Sequence, residues 1–282
     1  LSLYLAACSL HRLTAERKQH MTDLAHARAA FEEYLNQFCR EDEKIRLKIV
    51  HTEGVVRCAA EICRRMELGE EDCRLAELIA LLHDIGRVEQ ARRFDSFEPS
   101  VMDHAAYGVD LLFGSRQMIR RFTEENTWDD IIREAILRHS RYEVGDGMDS
   151  RTLLHARLIR DADKLDNCRV KLEDRIEVLL GCTAEEAGTQ ELTPKIWEDC
   201  EKRRSVYLAD RKTRMDYWVS YIAYFYDLNF PASAGIVLEN NYVDRIIGRI
   251  PCANRDTAEK MRLLGENVTE FLEELSRSKA AG

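Results

Sequence analysis

A His-Asp pair follows a strongly apolar segment of the chain. His83 and Asp84 come directly after Leu-Ile-Ala-Leu-Leu at positions 78–82. Burying two polar side chains there is costly unless another group satisfies them, and a metal ion does so. Adjacent residues on a helix point about 100° apart, so both can reach one ion only from the last turn of the helix. Taken alone, the pair is equally compatible with a His that caps the last helical carbonyls beside a surface Asp.

Three further residues of metal-binding type lie beside apolar residues in other predicted helices. His51 lies within a helix, His139 follows Ala-Ile-Leu late in another, and an acidic segment at 161–167 offers Asp161 or Asp163. Helical periodicity does not choose between these two carboxylates. Imidazole and carboxylate ligands together favour iron, manganese, nickel, cobalt or zinc over calcium.

The order of these residues resembles a known signature. His51, His83-Asp84 and Asp163 follow the H…HD…D pattern of the HD superfamily of metal-dependent phosphohydrolases. Residues 51–88 are similar to the first two motifs, and DADKLDN at 161–167 resembles the last, in which a basic residue follows the metal-binding Asp. The resemblance covers about residues 45–175, selects Asp163 over Asp161, and implies an all-α helical bundle.

Two more segments extend the resemblance to HD proteins that hold two metal ions. The segment 103–112, which begins with Asp-His, is similar to their H…G…LL segment, and 135–139 is similar to the motif of their fourth His. The resemblance therefore implies two divalent transition metal ions, with magnesium also compatible, and Asp84 as the bridging carboxylate. The implied ligand set is His51, His83, Asp84, His104, His139 and Asp163.

The reaction that the resemblance implies is hydrolysis of a phosphate ester or anhydride. The metal ions would polarise the phosphoryl oxygens and lower the pKa of a water molecule. Lys164 and Arg87 adjoin ligands in the sequence and would neutralise nonbridging oxygens, unless they are ordinary surface charges. Glu53, two residues after His51, is a weaker candidate for proton transfer or for orienting a ligand. Asp84, Lys164, Arg87 and Glu53 are thus the candidate catalytic residues.

The substrate class and two rival functions stay open at this stage. Nucleotides and related small phosphorylated metabolites are the commonest substrates of the superfamily. The GYP sequence of cyclic-dinucleotide phosphodiesterases is missing after His139, which argues against that subclass. The synthetase motifs of alarmone enzymes are absent as well, which argues against a bifunctional alarmone enzyme. The same six ligands fit an HD-type di-iron oxygenase. The third hypothesis is a metal-binding sensor or scaffold without turnover.

Composition narrows the partners and the location. A net charge of −9 argues against an extended nucleic-acid surface, which needs concentrated positive charge. No segment is apolar enough over a sufficient length to span a membrane. Nine cysteines, an odd number without CxxC spacing, favour reduced thiols and hence a cytoplasmic protein.

The helices that must position these residues follow from apolar periodicity and from the scarcity of glycine and proline. Residues 87–100 are predicted to be a loop, with Gly86 as the stop of the preceding helix. The predicted helices are 23–38, 42–67, 70–83, 101–113, 115–124, 128–140, 150–168, 170–181, 194–208, 213–228, 233–249 and 257–278.

The domain prediction has three parts. Residues 1–20 are interpreted as a non-native or upstream extension, because Met21 with Thr22-Asp23 resembles a natural start with a helix cap. The alternative is a true signal, since Leu5-Ala6-Ala7-Cys8 resembles a lipoprotein cleavage site, although no charged segment precedes it. Residues 21–180 form the HD domain, and 181–282 a C-terminal helical extension without a recognisable motif. The aromatic residues of this extension either pack on the HD core or form the interface of a homo-oligomer. They are Tyr217, Trp218, Tyr221, Tyr224, Phe225 and Tyr226.

Overall fold

The computed structural model describes residues 23–97 and 100–278. Within these ranges the regular structure is helical and no strand is present, which confirms the prediction of an all-α fold. The predicted upstream extension at residues 1–20 lies outside the described residues.

In the first part of the fold, from residue 23 to Glu173, the described residues form seven α-helices and a short 3-10 helix at Met118–Arg121. Asp42 and Asp149 begin the two longest of these helices, each accepting hydrogen bonds from two backbone N–H groups of the first turn. The helices are α1 Leu24–Leu35, α2 Glu43–Arg65, α3 Glu70–Leu82, α4 Ile85–Phe94, α5 His104–Phe113, α6 Asp129–Arg138 and α7 Ser150–Glu173.

The second part consists of shorter helices and one long terminal helix. Two 3-10 helices, Leu208–Asp210 and Tyr224–Asp227, lie between them. The α-helices are α8 Ile176–Leu180, α9 Ala184–Gly188, α10 Pro194–Glu201, α11 Arg214–Ala223, α12 Pro231–Glu239, α13 Tyr242–Ile247 and α14 Arg255–Arg277.

The longest helices of the first part form the centre of the molecule. Helix α2 packs against α3 and α7, while α6 packs along α7 and α5 lies between α4 and α6. The apolar residues between them are almost completely buried, among them Val55, Leu78, Ile136 and Leu165. Burial of this apolar surface is the main stabilising contribution to the fold. It also brings residues from α2, α5, α6 and α7 close to the junction between α3 and α4.

The predicted loop at 87–100 is wrong, because α4 runs from Ile85 to Phe94. Gly86 does not stop α3; it lies in the first turn of α4, against α5. A Cβ atom at Gly86 would lie 2.2 Å from the carbonyl oxygen of His104, and backbone cannot easily give way there. Glycine is therefore needed at position 86 because α4 and α5 approach closely there. In the sequence, a glycine needed for such a contact cannot be told from one that ends a helix.

Other predicted boundaries shift where the backbone turns sharply. Asn241 has a φ of 48° and separates α12 from α13, which were predicted as one helix over 233–249. Arg203, with a φ of 52°, follows the early end of α10 at Glu201. Conversely, α7 continues to Glu173 as one helix. Most of the predicted helix 115–124 is irregular, with a single turn of 3-10 helix.

The helices after residue 180 contact the first part directly. Helices α12 and α13 both pack against α7, and α12 also touches α2. Trp218 and Phe225 are fully buried and Tyr226 is nearly so. Within the described residues, every helix is too short or too polar to cross a bilayer.

Candidate metal centre

The His-Asp pair lies at the break between two helices. Helix α3 ends at Leu82 and α4 begins at Ile85, so His83 and Asp84 occupy the bend itself. Both side chains are buried, with 0% of His83 and 5% of Asp84 exposed. Because the helix axis changes direction here, two adjacent residues can face one interior space.

His51 is held from both sides by carboxylates of α7. Its Nε2 atom lies 2.9 Å from Oδ1 of Asp163, and its Nδ1 atom lies 2.8 Å from Oδ2 of Asp166. Gly54, one turn after His51, makes room for Asp166: a Cβ atom there would lie 1.8 Å from its Oδ1. The ring of His51 is thus fixed with Nε2 directed at Asp163.

The tautomers of two other histidines follow from carbonyl acceptors. The Nδ1 atom of His83 lies 2.6 Å from the carbonyl oxygen of Ala80, and that of His139 lies 2.7 Å from the carbonyl oxygen of Ile136. A carbonyl oxygen only accepts hydrogen bonds, so each Nδ1 carries the proton. The lone pair is left on Nε2 of both rings, which is the form that binds metals.

Asp84 lies between two groups of imidazole nitrogens. Its Oδ2 atom is 3.7 Å from Nε2 of His83. Its Oδ1 atom is 3.4 Å from Nε2 of His104 and 3.5 Å from Nε2 of His139. The two oxygens of one carboxylate therefore face different histidines, as a bridging ligand must.

The donor atoms fit a metal ion in spacing as well as in chemistry. Nε2 of His104 and Nε2 of His139 are 3.1 Å apart, and both lie within 3.5 Å of the same Asp84 oxygen. Ligands about 2.1 Å from a transition metal are separated by about 3.0 to 3.4 Å, so the triangle has the required size. His51, His83 and Asp163 offer a second group of ligand atoms, all within 4.8 Å of one another.

The imidazole of His83 gives an independent indication that these residues can bind a cation. Its Nε2 atom is buried and has no hydrogen-bond partner among the described residues. Buried polar atoms nearly always have a partner, because leaving one unpaired costs about 1–3 kcal/mol. The donor set therefore fits a metal ion, and these residues could hold one.

Burial and neighbouring charges set the protonation states. Burial lowers the pKa of His83 to about 4 and that of His104 to about 2. Burial would raise the pKa of Asp84, but Lys48 and the adjacent His83 hold it well below its ordinary value. The pKa of Asp163 is likewise low despite burial, because it pairs with His51. The neutral imidazoles of His83 and His104 and the ionised carboxylates are in the states that bind a divalent cation. Burial would lower the pKa of His51, but its hydrogen bonds to Asp163 and Asp166 raise it.

The structure distinguishes the two candidate carboxylates of α7. Asp163 faces His51, whereas Asp161 accepts hydrogen bonds from the backbone N–H groups of Asn229 and Phe230. Asp161 therefore accepts hydrogen bonds from the backbone just before α12, and of these two carboxylates only Asp163 joins the cluster. The choice that the resemblance favoured agrees with this geometry.

The remaining predicted site residues lie apart from the cluster to different degrees. Lys164 pairs with Asp227 at 2.6 Å, and Glu53 pairs with Arg28, also at 2.6 Å. Arg87 is nearer: its Nε atom lies 3.8 Å from Oδ1 of Asp84. Of the three, the structure brings only Arg87 beside the cluster.

Two residues beside the cluster were missed in the sequence. The Nζ atom of Lys48 donates to Oδ2 of Asp84 at 2.8 Å, and Asp166 holds His51 as described. Lys48 precedes His51 by three residues and Asp166 follows Asp163 by three, so each lies one helical turn from a predicted ligand. That spacing was a usable signal.

Arg160 ties the end of α6 to α7 and to the second part of the fold. Only 3% of this side chain is exposed. Its guanidinium donates to the carbonyl oxygens of Arg138, Arg141 and Tyr142 at 3.0, 2.6 and 3.2 Å. It also pairs with Asp227 at 2.5 Å. Because His139 lies within the segment that Arg160 holds, the guanidinium sets the position of this imidazole.

We expect Arg160→Lys to weaken metal binding through His139. Lysine cannot reproduce several N–H donors in a planar fork, so the carbonyls around His139 lose their partners. Metal affinity should fall about tenfold and the free energy of unfolding by about 1–3 kcal/mol. Metal titration and urea denaturation measure the two effects.

Arg249→Lys is the matched control. Arg249 also donates to helical carbonyls, those of Lys171 and Asp174, but at the far end of α7. It should lose stability while keeping its metal affinity. Equal metal affinities in the two variants would show that Arg160 does not position His139.

The helical fold and the histidine–aspartate cluster together define a helical protein with a candidate metal centre. Comparison with protein families agrees: residues 49–168 match the family model described as the HD domain. This part of the chain is therefore similar to the HD domain, a domain whose family is generally one of metal-dependent hydrolases. Neither the curated proteins nor the solved structures contain a match to the chain.

Proposed function

We propose that the protein is a metal-dependent phosphohydrolase with two divalent cations at this centre. His51, His83, Asp84 and Asp163 would hold one ion, and Asp84, His104 and His139 the other. The position of Asp84 carries the proposal, because its two oxygens face different groups of imidazole nitrogens. The proposed ions are transition metals such as iron, manganese, nickel, cobalt or zinc, with magnesium also compatible.

When bound, such ions would polarise a phosphoryl oxygen and lower the pKa of a water molecule. The protein's own residues would orient the reacting group and balance its charge. Lys48 is the ammonium group beside Asp84, and only 14% of its side chain is exposed. We assign it to a nonbridging oxygen of the substrate, with the Arg87 guanidinium on the other side of Asp84.

The proposed substrate is a small phosphorylated molecule such as a nucleotide. The cluster is buried apart from Asp163, of which 25% of the side chain is exposed, so a compact group can approach it but an extended polymer cannot. The net charge of −9 supports the same view, as it opposes an extended nucleic acid. The described cysteines are all free thiols, which supports a reducing, cytoplasmic setting.

Elemental analysis together with an activity assay tests the proposal. We expect about two metal ions per chain and manganese-supported phosphate release from a panel of phosphoesters and nucleotides that does not depend on oxygen. Chelator-treated protein should lose activity and regain it on reloading. Oxygen consumption by iron-loaded protein would favour an oxygenase, and bound metal without any turnover would favour a sensor.

A further inference from the structure

Lys171 is a buried lysine on the same face of α7 as Asp163. Asp163, Asn167 and Lys171 are spaced by four residues, which places them on one face of the helix. Lys171 is two turns further on, about 12 Å along the axis at 1.5 Å per residue. Long helical side chains lean back toward the N-terminus, which on α7 is the direction of Asp163.

The Lys171 ammonium group is buried without a counter-ion from the described residues. Only 6% of the residue is exposed, and Nζ lies 4.0 Å above the ring of Tyr221. Among the described residues, no carboxylate lies within salt-bridge distance of it. Burial, and then the neighbouring ammonium of Lys48, lower the pKa of Lys171 to about 8. Buried charges are almost always paired, so this position favours an anion from outside the chain.

The ordinary structural role for a lysine in this place is already filled. A basic residue in the last turn of a helix often compensates the negative end of the helix dipole. Here Arg249 donates to the carbonyl oxygens of Lys171 and Asp174 at 2.6 and 2.7 Å. The end of α7 therefore has its cation without the side chain of Lys171.

We propose that Lys171, together with Lys48, forms an anion subsite beside the metal centre for a second phosphoryl group of the substrate. The substrate class is then a small molecule with two phosphoryl groups, such as a phosphoanhydride or a bisphosphate, rather than a simple monoester. This proposal rests on the proposed function, since it assumes that one phosphoryl group occupies the metal centre. Tyr221 of α11 supports the subsite, so the helices after residue 180 contribute to substrate selection.

Binding of two probes to manganese-loaded protein tests the subsite without turnover. The probes are orthophosphate and methylenediphosphonate, a diphosphate analogue that resists hydrolysis, and calorimetry gives the affinities. Wild-type protein should bind the diphosphonate about tenfold or more tightly than orthophosphate. Lys171→Met should remove most of this difference and leave the orthophosphate affinity within about threefold of the wild type. Lys171→Arg should keep the preference for the diphosphonate.

Lys195→Met is the control, because Lys195 lies in α10 and pairs with Asp199. It should bind both probes as the wild type does. A folded Lys171→Met variant with unchanged diphosphonate affinity would overturn the subsite, as would equal loss of both probes or equal affinities in the wild type. Tight diphosphonate binding by a protein that releases no phosphate from the panel of phosphoesters and nucleotides would instead keep the subsite and refute the proposed hydrolase.

Discussion

Replacing Asp84 with alanine should empty the metal centre and abolish turnover. The two oxygens of this carboxylate face His83 on one side and His104 with His139 on the other. The substitution therefore removes a carboxylate oxygen from each group at once. We expect metal content near zero and phosphate release at least about a thousandfold below the wild type. Elemental analysis and a phosphate-release assay measure both.

Asp72→Ala provides the matched control. Asp72 also accepts a hydrogen bond from a histidine, His155 at 3.0 Å, and pairs with Arg151 at 2.7 Å, but it lies outside the cluster. This variant should lose stability while keeping its metal content. Full metal content in Asp84→Ala would refute the site assignment, and metal loss in both variants would indicate general misfolding.

Replacing Gly54 with alanine should damage the centre from a position that holds no ligand. The new Cβ atom would lie 1.8 Å from Oδ1 of Asp166 and 2.2 Å from its Cγ, so this side chain must move. Movement of Asp166 breaks its hydrogen bond to Nδ1 of His51 and leaves the imidazole unsupported. We expect metal affinity to fall by about 10- to 100-fold and the free energy of unfolding by about 1–3 kcal/mol.

Gly235→Ala separates crowding from the general effect of a helical glycine. Gly235 lies within α12, and a Cβ atom there would meet nothing closer than 3.6 Å. Alanine is the better helix former, so the free energy of unfolding of this variant should rise by about 0.5–1 kcal/mol. Urea denaturation should show a lower free energy of unfolding for Gly54→Ala and a higher one for Gly235→Ala. Metal titration should show weaker binding for Gly54→Ala alone. A Gly54→Ala variant that matches the wild type in metal affinity would show that Asp166 does not hold His51 in place.

The ligand candidates could be found in the sequence because metal-binding residue types are rare beside apolar ones. His51, His83, Asp84 and His139 each adjoin apolar residues with helical periodicity, and unpaired polar groups are costly there. The all-α class followed from the same periodicity and from the scarcity of glycine and proline. Both inferences use only local properties of the chain.

The surroundings of the ligands depended on contacts between distant segments. Lys164 directly follows Asp163 and Glu53 is two residues after His51, yet they pair with Asp227 and Arg28 rather than with a residue of the cluster. Lys48 and Asp166 lie beside it because α2 packs across α3 and α7. A side chain's direction on a helix follows from its position, but its partner follows from the crossing of two helices.

By itself, the sequence determined the helical class and indicated candidate ligand residues, since side-chain type and periodicity are local, while the choice of Asp163 over Asp161 came from the family resemblance. Tertiary structure decided that α4 begins directly after Asp84, that Gly86 is required for contact with α5, and that one carboxylate faces two groups of imidazoles. It also decided that Arg160 and Lys171 are buried. These features arise from close approach between helices far apart in the chain, and a pattern within one helix does not encode that approach.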